Sequence, residues 1–259
     1  PRLLLNSANT LFPDGLANSS GFVGRNLMYN SHSFVRMVFE RQLNDFKGVQ
    51  VSRIIHHFYD SDPQRGFYGG GGIDARPWTA ATPLEFAVNV PRPDGPTWGA
   101  RYKAHLEHDF SRTMYLVCSG TSLAQDRNNI TIDPTHKDAW GRPSLRLTYR
   151  DHDDDMALVT FLQDRALEVA EAAGAMHTWP NPIHHQNNGA HLLGTCRMGD
   201  DPATSVVDRF HRSHDIPNLF ICDGSSFVTS GRGQPTMTIM ALAFRAAEHM
   251  MAAARANEI

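Results

Sequence analysis

Apolar positions along this chain follow two periods, and the change of period marks its organisation. In SFVRMVFERQL (33–43), Phe34, Val35, Met37, Val38 and Phe39 interleave with polar residues as in a half-buried strand. VSRIIHHFYD (51–60), TMYLVCSG (113–120) and NNITID (128–133) read as further strands. HKDAWGRPSLRLTYRD (136–151) turns at Gly141-Arg142-Pro143 and then alternates Leu145, Leu147 and Tyr149. Residues 34–150 therefore predict a strand-rich, antiparallel sheet. In MALVTFLQDRALEVAEAAG (156–174) the period becomes helical, with Leu158, Leu162, Ala166, Val169 and Ala173 on one face. Asp153–Asp155 stand where a helix N-terminus favours acids, and Gly174 stands where helices stop.

The ends of the chain differ from this middle. Residues 1–30 alternate short apolar runs with turn residues such as Pro13-Asp14-Gly15 and Asn18-Ser19-Ser20-Gly21, a connecting segment. The opening run Leu3-Leu4-Leu5 reads as the tail of an element begun upstream, with no initiator Met and no signal-peptide layout. The chain is thus expected to be a piece of something longer. Near the other end, NLFICDGSSF (218–227) is a short apolar run ending in Asp223-Gly224, the pattern of a buried strand delivering an acidic turn. SGRGQPTMTIMALAFRAAEHMMAAA then passes through glycines into a long helix. Gln234 takes the expected N-cap and Pro235 the first helical position, where a missing N–H costs nothing. The run Gly69–Gly72 is expected to be a flexible loop or a place of close backbone approach, serving as a lid or as plain surface. It fits no GxGxxG frame between a strand and a helix, so it is not read as a phosphate cradle.

Composition narrows the functional classes. With 259 residues, 41% hydrophobic and 20% charged, the chain reads as globular, one large domain or two ordinary ones. A net charge of -3 without a basic block argues against a nucleic-acid role, and no apolar stretch is long enough for a membrane span. Three cysteines, Cys118, Cys196 and Cys222, lack CxxC spacing, so neither a disulfide framework nor a zinc knuckle is expected. The compartment stays undetermined.

Candidate chemistry concentrates in NNGAHLLGTCRMGDDP (187–202), where His191 precedes a Gly-Thr pair and Cys196. Four roles fit the letters: catalytic base, partner of a Cys196 nucleophile, metal ligand, or packed residue. A Cys196 nucleophile lacks any hydrolase signature, and free cysteine is among the most buried residue types. A metal site on His184, His185 and His191 lacks an acidic or cysteine ligand at recognisable spacing. The packed and acid/base readings of His191 remain. The tail adds a helix N-terminus suited to negative charge. A base beside such a helix end is what hydride abstraction from an alcohol to a flavin requires.

Five blocks, in order, resemble the C-terminal portion of the glucose–methanol–choline (GMC) family of FAD-dependent oxidoreductases, nearest the sugar and sugar-acid dehydrogenase and pyranose-oxidase-like branch. They are PRLLLNSAN…PDGLANSSGFVGRNL, NNITIDPTHKDAWGRPSLRLTY, AHLLGTCRMGDDPATSVVD, NLFICDGSSFVTSG and GQPTMTIMALAFRAAEHM, nearly the whole chain. The resemblance implies an α/β fold with α+β character. Residues 1–33 would close the FAD domain, 34–185 would form an antiparallel substrate domain roofing the active site, and 186–259 would return to the FAD domain. His191 matches the family's catalytic histidine in HxxGT. Asp223 and Gly224 match the turn approaching the FAD pyrophosphate and ribityl region. Pro235 and Thr236 match the start of the helix that faces the flavin.

Two departures stand out. Gln234 occupies a position where the family usually has Asn or His, and it is read as the second polar group at substrate or flavin. The family's dinucleotide fingerprint is absent, so an N-terminal FAD-domain polypeptide, cleaved or separate, is the expected partner. The implied activity is FAD-dependent oxidation of an alcohol, a sugar, glycoside or polyol, with His191 as base and no metal. The electron acceptor is unspecified. A flavin-containing lyase and a non-catalytic subunit are the rival readings.

Overall fold

A computed structural model describes residues 1–259 except 45–46, 50, 52, 78–82, 90–91 and 186–189. In chain order its elements are α1 (Arg2–Leu5), β1 (Ser31–Val38), β2 (Arg53–Ile55), β3 (Gly71–Pro77), α2 (Pro83–Asn89), α3 (Gly99–Phe110) and β4 (Thr113–Gly120). They continue with β5 (Asn129–Lys137), β6 (Pro143–Thr148), α4 (Asp153–Ala172), β7 (His177–Pro180) and α5 (Thr236–Arg255). These group into two compact units, one of residues 1–30, 121–152 and 185–259, the other of residues 31–120 and 153–184.

The second unit is a five-stranded antiparallel sheet in the order β2-β3-β4-β1-β7, with α4 packed across one face. Alternation in β1 sends Ser31, Ser33, Val35 and Met37 inward, and β4 lies in register from Ser31↔Gly120 to Val38↔Thr113. The core joins Val35, Met37, Phe39, Ile73, Leu116 and Cys118 to Leu158, Leu162, Ala166 and Ala170 of α4. Burying each large side chain of that set contributes roughly 1.5–3 kcal/mol. Ser33 Oγ also donates to the Val159 carbonyl at 3.1 Å.

α4 starts at Asp153, three residues before the apolar stretch, so the three acids occupy its first turn. It ends as expected at Gly174, with φ +80°. Ala175 N–H reaches Ala170 O at 3.1 Å and Gly174 N–H reaches Glu171 O at 2.9 Å, the paired bonds of a glycine C-cap.

The glycine run is not a loop throughout, because Gly71 and Gly72 open β3. A Cβ on Gly71 would stand 2.5 Å from Leu162 Cδ1 and 2.6 Å from Ser119 O. Close approach of α4 and β4 is therefore why side chains are missing there. On the opposite face Asp74, fully buried, pairs with Arg76 at 2.6 Å.

Residues 34–150 were expected to be strand-rich, yet they include α2 and α3, which meet through Phe86 on Phe110 and the Tyr102 hydroxyl on Ala87 O. Nor does the stretch 34–185 form one body. Residues 121–152 group with the first unit, because among the described residues the β5–β6 hairpin forms its strand pairs with itself and its other backbone bonds with the 24–27 segment, while Arg2 bonds Asp138 and Pro143 O. Ile130 N–H donates to Gly24 O at 2.7 Å and Leu27 N–H to Asn128 O at 2.9 Å. Leu27, Tyr29 and Ile130 form a small core there, with Tyr149 edge-on to Tyr29 at 4.5 Å. A second small core gathers Leu4, Ala17, Val23, Cys196, Val206 and Val207.

Candidate functional site

All six candidate residues, His191, Asp223, Gly224, Gln234, Pro235 and Thr236, belong to the first unit. Residues 187–189, which head the histidine stretch, lie outside the described residues.

Backbone bonds grip the segment after His191 from two sides. Met28 and Leu193 exchange N–H···O bonds of 3.0 Å each, and Gly24 N–H donates to Thr195 O at 2.8 Å. On the other side Gly194, Cys196 and Met198 donate to the carbonyls of Gly224, Ser225 and Ser226 at 3.2, 2.8 and 2.8 Å. Gly194 has φ +92°, and a Cβ there would lie 2.2 Å from Asn26 O. The Gly of the HxxGT stretch is thus required by backbone approach, independently of any chemistry. His191 adopts φ +60° and is half-buried, with Nδ1 shielded from solvent. A left-handed backbone at a non-glycine residue costs about 1–3 kcal/mol, and such strain clusters at working sites.

The run 218–222 departs from its sequence expectation. It is half-exposed rather than a buried strand, and its one ladder contact is the isolated bridge Arg212↔Phe220. An apolar run becomes a strand only where partners supply hydrogen bonds on its edges. What it delivers is nonetheless an acidic turn. Asp223 Oδ1 accepts the Ser225 N–H at 2.8 Å and the Ser225 hydroxyl, capping the 3-10 turn Gly224–Ser226. One oxygen of this carboxylate therefore shapes the turn.

Gly224 is where the pieces meet. A Cβ there would stand 2.7 Å from Leu193 Cδ2, 3.1 Å from Leu192 O and 3.4 Å from Ile239 Cδ1. Leu192 follows His191 directly, and Ile239 lies one turn into α5. The histidine segment, the acidic turn and the start of α5 thus converge on one buried glycine.

The helix start is shifted by one residue from expectation. Pro235 O accepts the Ile239 N–H at 2.9 Å, which makes Pro235 the N-cap and places Gln234 just before it. No side chain caps this end, and Gln234 and Thr236 are exposed. Among the described residues the Gln234 amide makes no hydrogen bond. The first-turn N–H groups carry the positive end of the helix dipole, roughly half a charge. Added Cβ atoms on Gly231 and Gly233 would meet nothing within 4 Å, so the approach to this end is open. An uncapped, accessible helix end of this kind fits the electron-rich edge of a flavin ring.

Several supporting residues had no signal in the spacing. Asn30 Nδ2 donates to Gly231 O at 2.6 Å, and Ser230 Oγ accepts the Ser122 N–H at 2.6 Å, which together pin the loop before α5. His211, buried with φ +67°, donates from Nδ1 to Ile221 O at 2.7 Å and steers the chain into Asp223. Cys196 is fully buried, and burial pushes its thiol pKa up, which disfavours a thiolate. Burial and the neighbouring Asp223 carboxylate raise Cys222 in the same direction.

A family-wide sequence profile described as GMC oxidoreductase matches residues 124–243, which span the histidine segment, the acidic turn and the first turns of α5. The chain belongs to the GMC oxidoreductase family. It is 38% identical over 254 residues to the 2-methyl-1,2-propanediol dehydrogenase of Mycolicibacterium austroafricanum, matching 96% of this chain and 45% of that protein. It is 27% identical to the gluconate 2-dehydrogenase flavoprotein of Pantoea cypripedii, across 89% of this chain and 39% of that one. The fructose dehydrogenase large subunit of Gluconobacter japonicus is 28% identical, over 97% of this chain and 45% of that one. This GMC chain therefore spans less than half the length of these curated relatives. Among solved structures, a formate oxidase of Aspergillus oryzae RIB40, studied for its FAD modification, superposes with TM-score 0.58. That match has 14% identity and covers 90% of this chain and 48% of that one, and it shows a shared fold.

Proposed function

We propose that this chain is the base-bearing portion of an FAD-dependent oxidoreductase that oxidises an alcohol of the sugar, glycoside or polyol class. The observation that carries this reading is the convergence at Gly224 of the His191 segment, the Asp223 turn and the uncapped start of α5. Relatives named as dehydrogenases of a propanediol, gluconate and fructose support the substrate class.

FAD, when bound, supplies a two-electron acceptor for the hydride that leaves the alcohol carbon. His191 accepts the hydroxyl proton at Nε2, because Nδ1 is turned away from solvent. Loss of hydride from carbon and proton from oxygen leaves a carbonyl. The uncapped first-turn amides of α5, at Thr236 and Met237, would stabilise negative charge developing on the bound cofactor. The Asp223–Gly224 turn would line the bound cofactor, and the exposed Gln234 amide would hydrogen-bond a substrate or flavin oxygen. The dinucleotide-binding residues belong to an N-terminal FAD-domain polypeptide, joined to this chain or separate.

Stopped-flow reduction of the complete flavoprotein tests the base. His191→Ala slows flavin reduction by about 10²–10⁴-fold, the usual contribution of a positioned base, with flavin still bound. His191→Gly removes the ring without burdening a left-handed backbone, so the same loss there is not a folding defect. Reduction at the normal rate in both variants overturns the assignment.

A further inference from the structure

The tip of the β5–β6 hairpin is fastened from two sides. Asp138 Oδ1 accepts the Trp140 and Arg142 N–H groups at 3.0 and 2.9 Å. Asp138 N–H and Gly141 N–H close the turn on Arg142 O and Asp138 O at 2.8 and 3.0 Å. Gly141, with φ +77°, supplies the left-handed step that reverses the chain. From α1, the Arg2 guanidinium donates to Asp138 Oδ2 at 2.5 Å and to Pro143 O at 3.1 Å. Both oxygens of Asp138 are thus committed to the turn and to Arg2.

This fixed tip displays an indole. Trp140 and Leu3, 83% and 75% exposed, are the apolar walls of a hollow of about 510 Å³, completed by Arg2, Asn6, Asp138 and Arg142. That volume suits a small molecule, and apolar walls with a few polar groups are the usual make-up of a ligand site. Among the described residues the Arg142 guanidinium and the Asn6 amide make no hydrogen bond or ion pair. Single exposed aromatics are ordinary, but this one lines a hollow together with an unbonded cation. None of these residues belongs to the His191 segment, the Asp223 turn or the start of α5.

We propose that this hollow binds a uronic acid, a pyranose that carries a carboxylate, at a place sharing no residue with the hydride-transfer site. A pyranose has a face of C–H groups, which the negative face of an indole attracts, and Leu3 gives a second apolar contact. The carboxylate answers Arg142, and the ring hydroxyls answer Asn6 and Arg2. A bare anion would leave Trp140 and Leu3 in water, a neutral sugar would leave Arg142 unanswered, and an aromatic acid would leave the Asn6 amide unanswered. The choice of a sugar also rests on the functional reading above.

Fluorine NMR of the complete flavoprotein, grown with 5-fluorotryptophan, tests this. The signal missing from Trp140→Phe is that of Trp140, so its shift reports this hollow alone. Sodium glucuronate and methyl β-glucuronide, titrated at constant ionic strength, shift it saturably with a Kd on the order of 1 mM, the level a ligand of this size reaches. A glycoside bound as tightly as the free acid identifies a glycan end as the occupant, and a free acid bound about tenfold tighter identifies the monomer. Arg142→Gln, at an exposed position, weakens binding by about tenfold and leaves flavin reduction unchanged. The proposal is overturned if glucose binds as tightly as glucuronate, if benzoate binds more tightly, if Arg142→Gln binds like wild type, or if the Trp140 signal never moves. Glucuronate binding at Trp140 alongside normal flavin reduction in His191→Ala would sink the functional reading alone.

Discussion

Replacing Gly194 by alanine tests how the histidine segment is held. With φ +92°, an L-residue there pays a left-handed penalty of about 1–2 kcal/mol. The new Cβ would also stand 2.2 Å from Asn26 O and 2.8 Å from Met28 Cε, against an ordinary contact of about 3.5–4 Å. Neither neighbour can simply yield. Asn26 O is backbone in a buried segment, and Met28 is fully buried. Relief requires the 24–28 segment to move away, which loosens the Met28–Leu193 pair of bonds. Overpacking of this kind costs about 1–3 kcal/mol, so the total falls near 2–5 kcal/mol. In a complete protein more than twice this length that is roughly a 2–4 °C drop in Tm, read by calorimetry. Gly233→Ala is the control, since its Cβ would meet nothing within 4 Å and its backbone is not left-handed. It should stay within about 0.5 kcal/mol of wild type. If Gly194→Ala matches the control, the close approach is not real and the reasoning fails.

Two further outcomes follow from buried groups. Burial pushes the Cys118 thiol up to about 12 from an ordinary 9.0. Above pH 9 the unfolded chain releases a proton that the folded chain keeps, so stability declines as pH rises from 9 towards 12, by at most about 1.4 kcal/mol per unit. Cys118→Ala should flatten that decline in urea melts between pH 8 and 10, and an unchanged slope argues against it. Asp74→Asn strands the Arg76 guanidinium against a neutral amide, at a cost of about 3–5 kcal/mol, and adding Arg76→Gln should recover part of it. Denaturation of both variants decides this: a double variant no more stable than Asp74→Asn alone shows that the pair is not coupled.

The candidate site was legible unevenly. His191 and the start of α5 stood out because their signals are local: a histidine in a glycine-bounded stretch, and a proline opening an apolar helix. Their convergence was not legible, since it runs through Gly224, which leaves no room for a side chain beside Leu193 and Ile239 and whose carbonyl takes the Gly194 N–H. His211, Asn30 and Ser230 escaped notice for a related reason. Each is polar, solitary in sequence and significant only through a backbone group it reaches at a distance in sequence. The run 218–222 misled in the opposite direction, as hydrophobicity marked it for burial while strand formation depends on a partner's hydrogen bonds.

The strand character of β1, β4, β5 and β6, the amphipathic face of α4 and its glycine stop are properties of neighbouring residues, so the sequence by itself determined them. Packing decided the rest. Gly71 became strand because it pairs with Gly120 of β4 where α4 leaves no room for a side chain, and residues 121–152 joined the first unit because their hairpin pairs with residue 24 rather than with the larger sheet. His191 was bent into a left-handed backbone between two bonded segments. Local propensities cannot encode such choices, because each depends on which distant backbone offers a hydrogen bond or leaves no room.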